Sequence, residues 1–572
     1  MYQSQEHNTK EPAKDVSKAF EEVQSNKMTP QGLPLYLKSA GTLENMKKYH
    51  EALQIYTEIL QFDPNNFEAH SGAGCALLSL KRNEEALQAF KKAVNLNPHS
   101  NVAQNNLGVA LSELGKLYEA IEAFKLSIAI DPNCPDSYKL KGDAFSSLGH
   151  HKDALCEYNK AILFNPSYID AYIERANCLI QMKQFEDAIR DCDKAIALDP
   201  NSFGAYNTKG YALHDLGAYT EALSQYERAL QCDPTSCVAY NNKGAALKDL
   251  ERFDEALVEF DKSISLDPDY ANPYRHKGDV YYSMGEDNLA YACYTQAIRI
   301  NPGYLKAYTG RANCLISMKK LKEALEDTEK ALKIDSNDFT AHNARAFAFH
   351  DLGKLNEALD EYQLAIEAEP ESYVGYNNKG AALKDMGRFD EALDALEISI
   401  VLCPSYANPR KHKGDILAKR KKYEEALTSY NESIRINENY APAYLGRASV
   451  LSVLEKYADA IKDYDKVIQL DPNNTEAIER KGELAAKLNE SQKKPVVVES
   501  QVNSQVKSQQ KQPESSQSER LCVVCVDNKP EIVVVPCGHA NLCKGCSDAI
   551  LKANKLCPTC RVEIKEAFKF YL

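Results

Sequence analysis

No apolar run in the 572 residues approaches the roughly 18 needed to cross a bilayer, which argues against a membrane-spanning role. The opening stretch, MYQSQEHNTKEPAKDVSKAF, lacks the basic start and apolar core of a secretory signal. The chain is therefore expected in a reducing compartment, cytoplasmic or nuclear, where disulfides do not persist. Positive charge is in short supply too: 69 Lys and Arg stand against 82 Asp and Glu, a net −13. Residues 491–520 and 521–572 each carry about +2, so the first 490 carry about −17. So acidic a body repels nucleic acid and points to protein partners.

Ten of the 17 cysteines are scattered singly between Cys75 and Cys403, without close pairing, as small residues in helix packing are. The other seven crowd into residues 522–560, and they need a different explanation.

A 34-residue period runs through most of the chain, with alanine recurring thirteen times without a slip from Ala52 to Ala460. Twelve residues before these alanines stands Gly or Ala, from Gly74 to Ala448, where only a small side chain lets two helices approach closely. Three residues further on is a large apolar one, such as Leu77, Phe145, Tyr281 or Phe349. Proline closes most units, because it can start the next helix but not continue the last. Ser336 and Glu438 replace it twice.

These positions resemble the tetratricopeptide repeat over residues 33–474, taken as thirteen units. The resemblance implies a mostly α fold, a right-handed solenoid of helix-turn-helix units with a concave inner surface, in which no unit buries its apolar face alone. Residues 475–490 read as a capping helix, and the polar segment 1–32 is expected to be disordered. A second period sits above the first. YNNKGAALKDL at 240 returns as YNNKGAALKDM at 376, and YANPYRHKGD at 270 as YANPRKHKGD at 406, each 136 residues on, so the array grew by copying blocks of four units.

In this family the first helix of each unit lines the groove, and the position two before the small residue points inward. Asn106, Asn242 and Asn378 occupy it every fourth unit, alternating with Leu140, His276 and His412. Asn241, Asn377, Lys248, Lys384, Arg275 and Lys411 lie on nearby turns. An amide offers both donor and acceptor, which suits an extended peptide backbone. The competing reading is that these are solvated polar residues copied along with their block. The family's carboxylate clamp for chaperone C-termini is not matched: Asn177 and Asn313 sit at one of its positions, but Ile173 and Thr309 stand where a cation is wanted.

Residues 491–520, rich in Ser, Gln and Lys, read as a disordered tether. It would raise the effective concentration of the end domain near whatever the array holds. Beyond it the spacing is Cys522-x2-Cys525-x11-Cys537-x-His539-x3-Cys543-x2-Cys546-x10-Cys557-x2-Cys560. Eight such ligands make two tetrahedral zinc sites with no open position, hence structural zinc. A zinc ribbon or a nucleic-acid finger uses similar pairs, but the single His between the third and fourth Cys fits neither well.

Order and spacing resemble the RING finger, a small α/β domain, and in particular the C-terminal RINGs of inhibitor-of-apoptosis proteins and double-minute p53 ligases. The resemblance covers residues 521–572 and implies interleaved sites: Cys522, Cys525, Cys543 and Cys546 on one zinc, Cys537, His539, Cys557 and Cys560 on the other. It further implies that Val524 and Pro558 dock the ubiquitin-conjugating enzyme. Arg561 is implied to be the cation that positions ubiquitin, acting by orientation, with no general base or nucleophile. The terminal RVEIKEAFKFYL matches the subgroup's dimerising tail, with Tyr571 at the expected offset and Phe570 one register away. The resulting expectation is a RING-type E3 ubiquitin ligase whose repeats bind a protein substrate or adaptor, with neither nucleic acid nor membrane as partner. The alternative is a non-catalytic scaffold or co-chaperone adaptor with a structural zinc domain.

Overall fold

The computed structural model describes residues 29–493. The chain divides into two compact units, 1–491 and 492–572, and the described residues belong, but for 492 and 493, to the first. Residues 1–28, the rest of the Ser/Gln/Lys-rich stretch and the whole Cys/His cluster lie outside them.

Among the described residues there are 27 helices and no strand, and no helix is long and apolar enough to cross a membrane. A first helix of 13 residues and a second of 14 alternate, as in Phe67–Ser79 and Asn83–Leu96, but for Asn408–Lys419, which has 12. The last helix runs Thr475–Lys493. Two local devices cut the chain at these lengths. After the first helix one residue takes the left-handed conformation that ends a helix, either glycine, as at Gly217 (φ 84), or a strained Lys or Glu, as at Lys183 (φ 58). After the second helix a turn closes, most often on Asp-Pro or Asn-Pro. Asp199 Oδ1 accepts the Asn201 N–H at 2.9 Å, and Asp233 Oδ1 accepts that of Thr235 at 2.9 Å. In some units the next helix then opens on a side-chain cap, for example Ser202 on Ala205 or Asp338 on Ala341, whereas others, such as Ile169–Gln181, open without one.

The small residue and the residue 16 positions later are partners. A Cβ built on Gly244 would lie 2.6 Å from the Phe260 ring, and one on Gly278 would lie 2.7 Å from Tyr294. Both rings are buried, so each glycine is a socket for an aromatic from the second helix. Where alanine fills the socket at Ala176 and Ala312, the residue opposite shrinks to the buried Cys192 and Thr328. Volume is exchanged across these two pairs, as close packing favours, whereas Tyr362 and Tyr464 stay large opposite Ala346 and Ala448.

Each second helix packs on the first helix of its own unit and on that of the next. First helices of successive units also pack on one another, with no comparable packing between successive second helices. The first helices therefore form the tighter, inner layer of a curved array, and their free face is the concave one.

Candidate functional site

Three successive first helices, Phe203–Asp215, Cys237–Asp249 and Ala271–Ser283, build a polar cluster on the inner layer. Asn242 donates through Nδ2 to Asn207 Oδ1 at 3.1 Å, and Asn241 donates to Asn242 Oδ1 at 3.2 Å. His214 Nε2 lies 2.9 Å from Asp249 Oδ2, and Lys248 Nζ lies 3.0 Å from the other oxygen of that carboxylate. On the third helix Arg275 reaches Asp279 at 2.5 Å and His276 Nε2 at 2.7 Å, while the His276 ring stacks on Phe260 at 5.5 Å.

A related constellation, with different partners for its histidine, recurs on Phe339–Asp351, Tyr373–Asp385 and Asn408–Lys419. Asn378 donates to Asn343 at 2.9 Å, and Asn377 to Asn378 at 3.0 Å. His350 lies 3.2 Å from Asp385, Lys411 lies 2.8 Å from Asp415, and Lys384 donates to His412 Nδ1 at 3.4 Å. The first block differs. Asn106 turns to Cys75 Sγ at 3.7 Å, Asn105 donates to Ser137 at 2.9 Å, and Leu140 stands where the other blocks have histidine.

Asn106, Asn242 and Asn378 are thus rungs between neighbouring first helices before they are anything else, and Asn241 and Asn377 brace two of them from the same helix. Asn241 and Asn377 are each only 3% exposed, with Oδ1 unpartnered. Asn242, Lys248 and Lys384 remain half-buried at the surface. Burial, then the nearby cations Arg275 and Lys248, hold the His276 imidazole well below its ordinary range. Because Nε2 accepts from Arg275, the proton of the neutral ring sits on Nδ1, which has no partner. Asp415 is held below the usual carboxylate range: burial pushes it up, but His412, Lys411 and Lys384 more than offset that.

The structure also shows a feature the sequence reading missed, a ladder of cations one residue before the small residue. Arg175 grips Asp191 through both carboxylate oxygens at 2.5 and 2.6 Å, and Arg311 and Arg447 grip Asp327 and Asp463 in the same way. Lys277 and Lys413 reach instead to Asp261 and Glu397 in the preceding unit, at 2.5 and 3.1 Å. The clue was the run of Lys or Arg in that column from Lys141 to Arg447.

Among the described residues no group of His, Cys, Asp and Glu could hold a metal. Cys522, Cys525, Cys537, His539, Cys543, Cys546, Cys557 and Cys560 lie outside the described residues, as do Val524, Pro558, Arg561, Phe570 and Tyr571. As a donor set, seven thiols and one imidazole fit zinc.

Comparison with known families bears on both parts of the chain. The profile described as "Zinc finger, C3HC4 type (RING finger)" matches residues 518–567. Profiles of the tetratricopeptide repeat match 42–101, 77–144, 169–202, 305–338 and 441–474, among other stretches. The chain is a tetratricopeptide-repeat protein with a C-terminal RING finger. Its RING finger is similar to that of "Baculoviral IAP repeat-containing protein 3" of Homo sapiens, 43% identical over 56 residues. That stretch is 10% of this chain and 9% of the human protein. It is similar also to "Putative E3 ubiquitin-protein ligase XBAT34" of Arabidopsis thaliana, 40% identical over 57 residues, which is 10% of this chain and 15% of that one. The chain therefore shares only a short part of the length of these relatives. Among solved structures, that titled "Crystal structure of APC/C hetero-tetramer Cut9-Hcn1" aligns with a TM-score of 0.49 and 14% identity, covering 82% of this chain and 98% of that one.

Proposed function

We propose that this protein is a RING-type E3 ubiquitin-protein ligase, in which the tetratricopeptide array binds a protein substrate or adaptor and the RING finger recruits the conjugating enzyme. The observation that carries the reading is the match of residues 518–567 to the C3HC4 finger, with relatives named as E3 ligases similar over that same stretch. Val524 and Pro558 supply the apolar contacts of the docking face, and Arg561 donates hydrogen bonds that hold the ubiquitin thioester for attack by a substrate lysine. Rate enhancement comes from orientation, so no nucleophile of this chain takes part. Zinc, when bound, supplies structure alone, since four protein ligands leave no position for water. Cys522, Cys525, Cys543 and Cys546 hold one ion, and Cys537, His539, Cys557 and Cys560 hold the other. Tyr571, or Phe570 in the alternative register, passes to a second RING in a homodimer. The protein acts in the cytoplasm or nucleus.

The test is ubiquitin-chain formation by the purified chain with activating enzyme, a panel of conjugating enzymes and ATP. Val524→Ala and Arg561→Ala are expected to lose activity with zinc content unchanged. A wild-type protein silent with every conjugating enzyme, in chain formation and in discharge of the charged thioester alike, would make it a zinc-bearing scaffold instead.

A further inference from the structure

Resting on the reading that the array holds a protein substrate, we propose that the turn Lys419–Lys422 is a docking site for a phosphorylated segment of that substrate. The turn lies at the edge of the array, where the first helix Asn408–Lys419 ends and the second helix Tyr423–Ile436 begins.

Neither the repeat nor the packing asks for these cations. The related unit 136 residues earlier reads Ser283, Met284, Gly285 and Glu286 at the same positions. Arg420 stands where every other unit has Leu or Met, such as Leu114, Leu148 and Leu454, which pack against the core. Lys421 stands where the related unit has Gly285, and it holds the left-handed conformation (φ 61) that suits glycine and strains a lysine. No other unit carries more than two Lys or Arg across this turn. A run that gives up apolar contact, strains the backbone and occurs once points to a partner outside the fold.

The cations differ in what they have left to give. Lys422 pairs with Glu425 at 3.1 Å. Arg420 donates through Nη2 to Asp390 Oδ1 at 2.7 Å, but Asp390 is 88% exposed, so the pair is weak and exchangeable. Lys419 and Lys421 are exposed and have no acidic partner among the described residues. Lys419 Nζ and the Arg420 guanidinium carbon lie 6.0 and 5.6 Å from the centre of the Phe389 ring, which gathers the two charges in one place. A phosphorylated serine or threonine, with a charge of about −2 and three acceptor oxygens, answers such a set.

The neighbouring residues argue for a compact anion. The second helices on either side open on Asp390 and Glu391 and on Glu424 and Glu425. The same turn carries Asp385 in the unit before and Glu455 in the unit after. A nucleic-acid strand or a lipid surface extends over those carboxylates and is repelled by them, whereas a phosphoryl group is small enough to touch the cations alone. Charges more than about 10 Å away are screened, so the acidity of the array as a whole does not forbid the contact.

The experiment uses the full chain and a short fluorescein-labelled Gly/Ala peptide bearing two adjacent phosphoserines, beside the same peptide with serines, read by fluorescence anisotropy. The phosphopeptide is expected to bind about 10-fold more tightly or better. Lys419→Ser, Arg420→Met, Lys421→Gly and Lys422→Glu together should reduce it to the affinity of the serine peptide. These four residues are the natural ones at 283–286 of the related unit, so the fold accommodates them, and helicity by circular dichroism checks that. Lys421→Gly alone, which relieves the turn, should already weaken binding by about 3-fold. Lys319→Gly with Lys320→Glu, on the same edge of another unit, should change nothing. Equal affinity for the two peptides, full binding by the fourfold variant, or the same loss in the Lys319 and Lys320 variant would each overturn the proposal. So would tighter binding of a single-stranded oligonucleotide of equal charge, or of phosphatidylserine vesicles, than of the phosphopeptide. Ubiquitin-chain formation is measured on the same preparation. An active ligase without preference for the phosphopeptide sinks the docking proposal alone, and phosphopeptide binding by an inactive preparation sinks the ligase reading alone.

Discussion

Tyr294, buried in the core, donates its hydroxyl hydrogen to Asp279 Oδ1 at 2.7 Å, and so ties the second helix of its unit to the carboxylate that also receives Arg275. Tyr158 with Asp143 and Tyr430 with Asp415, both at 2.9 Å, repeat the bond in the flanking blocks. Tyr362 fills the same kind of socket, but Phe347 stands 15 residues before it and its hydroxyl has no partner.

Two tyrosine-to-phenylalanine changes should therefore differ in sign. Tyr294→Phe removes a hydrogen bond to a charged group and is expected to cost about 1.5–3 kcal/mol, whereas Tyr362→Phe removes a buried unsatisfied group and should be neutral or stabilising by about 1 kcal/mol. Because long arrays do not unfold as one unit, the readout is hydrogen exchange of the amides in helices Asp287–Ile300 and Leu355–Ala368.

The turns offer a second contrast. Lys183 and Glu251 hold φ near 58° where other units place glycine. Lys183→Gly and Glu251→Gly should each stabilise by about 1 kcal/mol, and Gly217→Lys should destabilise by about as much. Hydrogen exchange of the amides in the helices flanking each turn, compared among the variants, checks the direction.

The inner-layer histidines should make stability pH-dependent. Arg275, Lys248, His214 and Lys306 surround His276, with Asp279 opposing them at 3.8 Å, and burial adds to the cations in keeping the folded ring neutral. In the unfolded chain the ring takes a proton below about pH 6.5, so the unfolded state binds more protons there and stability falls as pH drops through that value. His412 contributes in the same sense. His276→Leu is expected to flatten the pH dependence, between pH 7.5 and 5.5, of the opening free energy read by hydrogen exchange in helix Ala271–Ser283. An unchanged slope would mean that the buried imidazole does not govern it.

At the C-terminus, deletion of residues 567–572 should abolish ligase activity while zinc stays bound, measured as chain formation beside metal analysis. Cys522→Ser should instead lose zinc and activity together, because metal binding and folding of such a site are one event. Full activity in the truncated chain would rule out the dimer.

Much of the array could be read in advance because its period is its packing. The thirteen alanines from Ala52 to Ala460 are all fully buried, since each sits where the second helix meets the first. The partners of polar residues could not be read in this way. Asn242 bonds Asn207, 35 residues away, only because successive first helices are adjacent. Lys277 turns back to Asp261, whereas Arg311 turns forward to Asp327. Both acids lie 16 residues from their cation, so the sequence interval alone cannot choose between them. The Cys/His cluster of residues 522–560 stood out for the opposite reason: paired ligands two residues apart are the spacing that a zinc site asks for.

Because successive first helices touch while second helices do not, the array is built like a coil spring. A pull on its ends is borne in series by many small interfaces, none of which has to break for the whole to lengthen. A partner lying across several first helices bridges those interfaces in parallel and stiffens the coil. Occupancy of the groove is then legible as mechanical resistance, a quantity that stretching a single molecule between two handles would record.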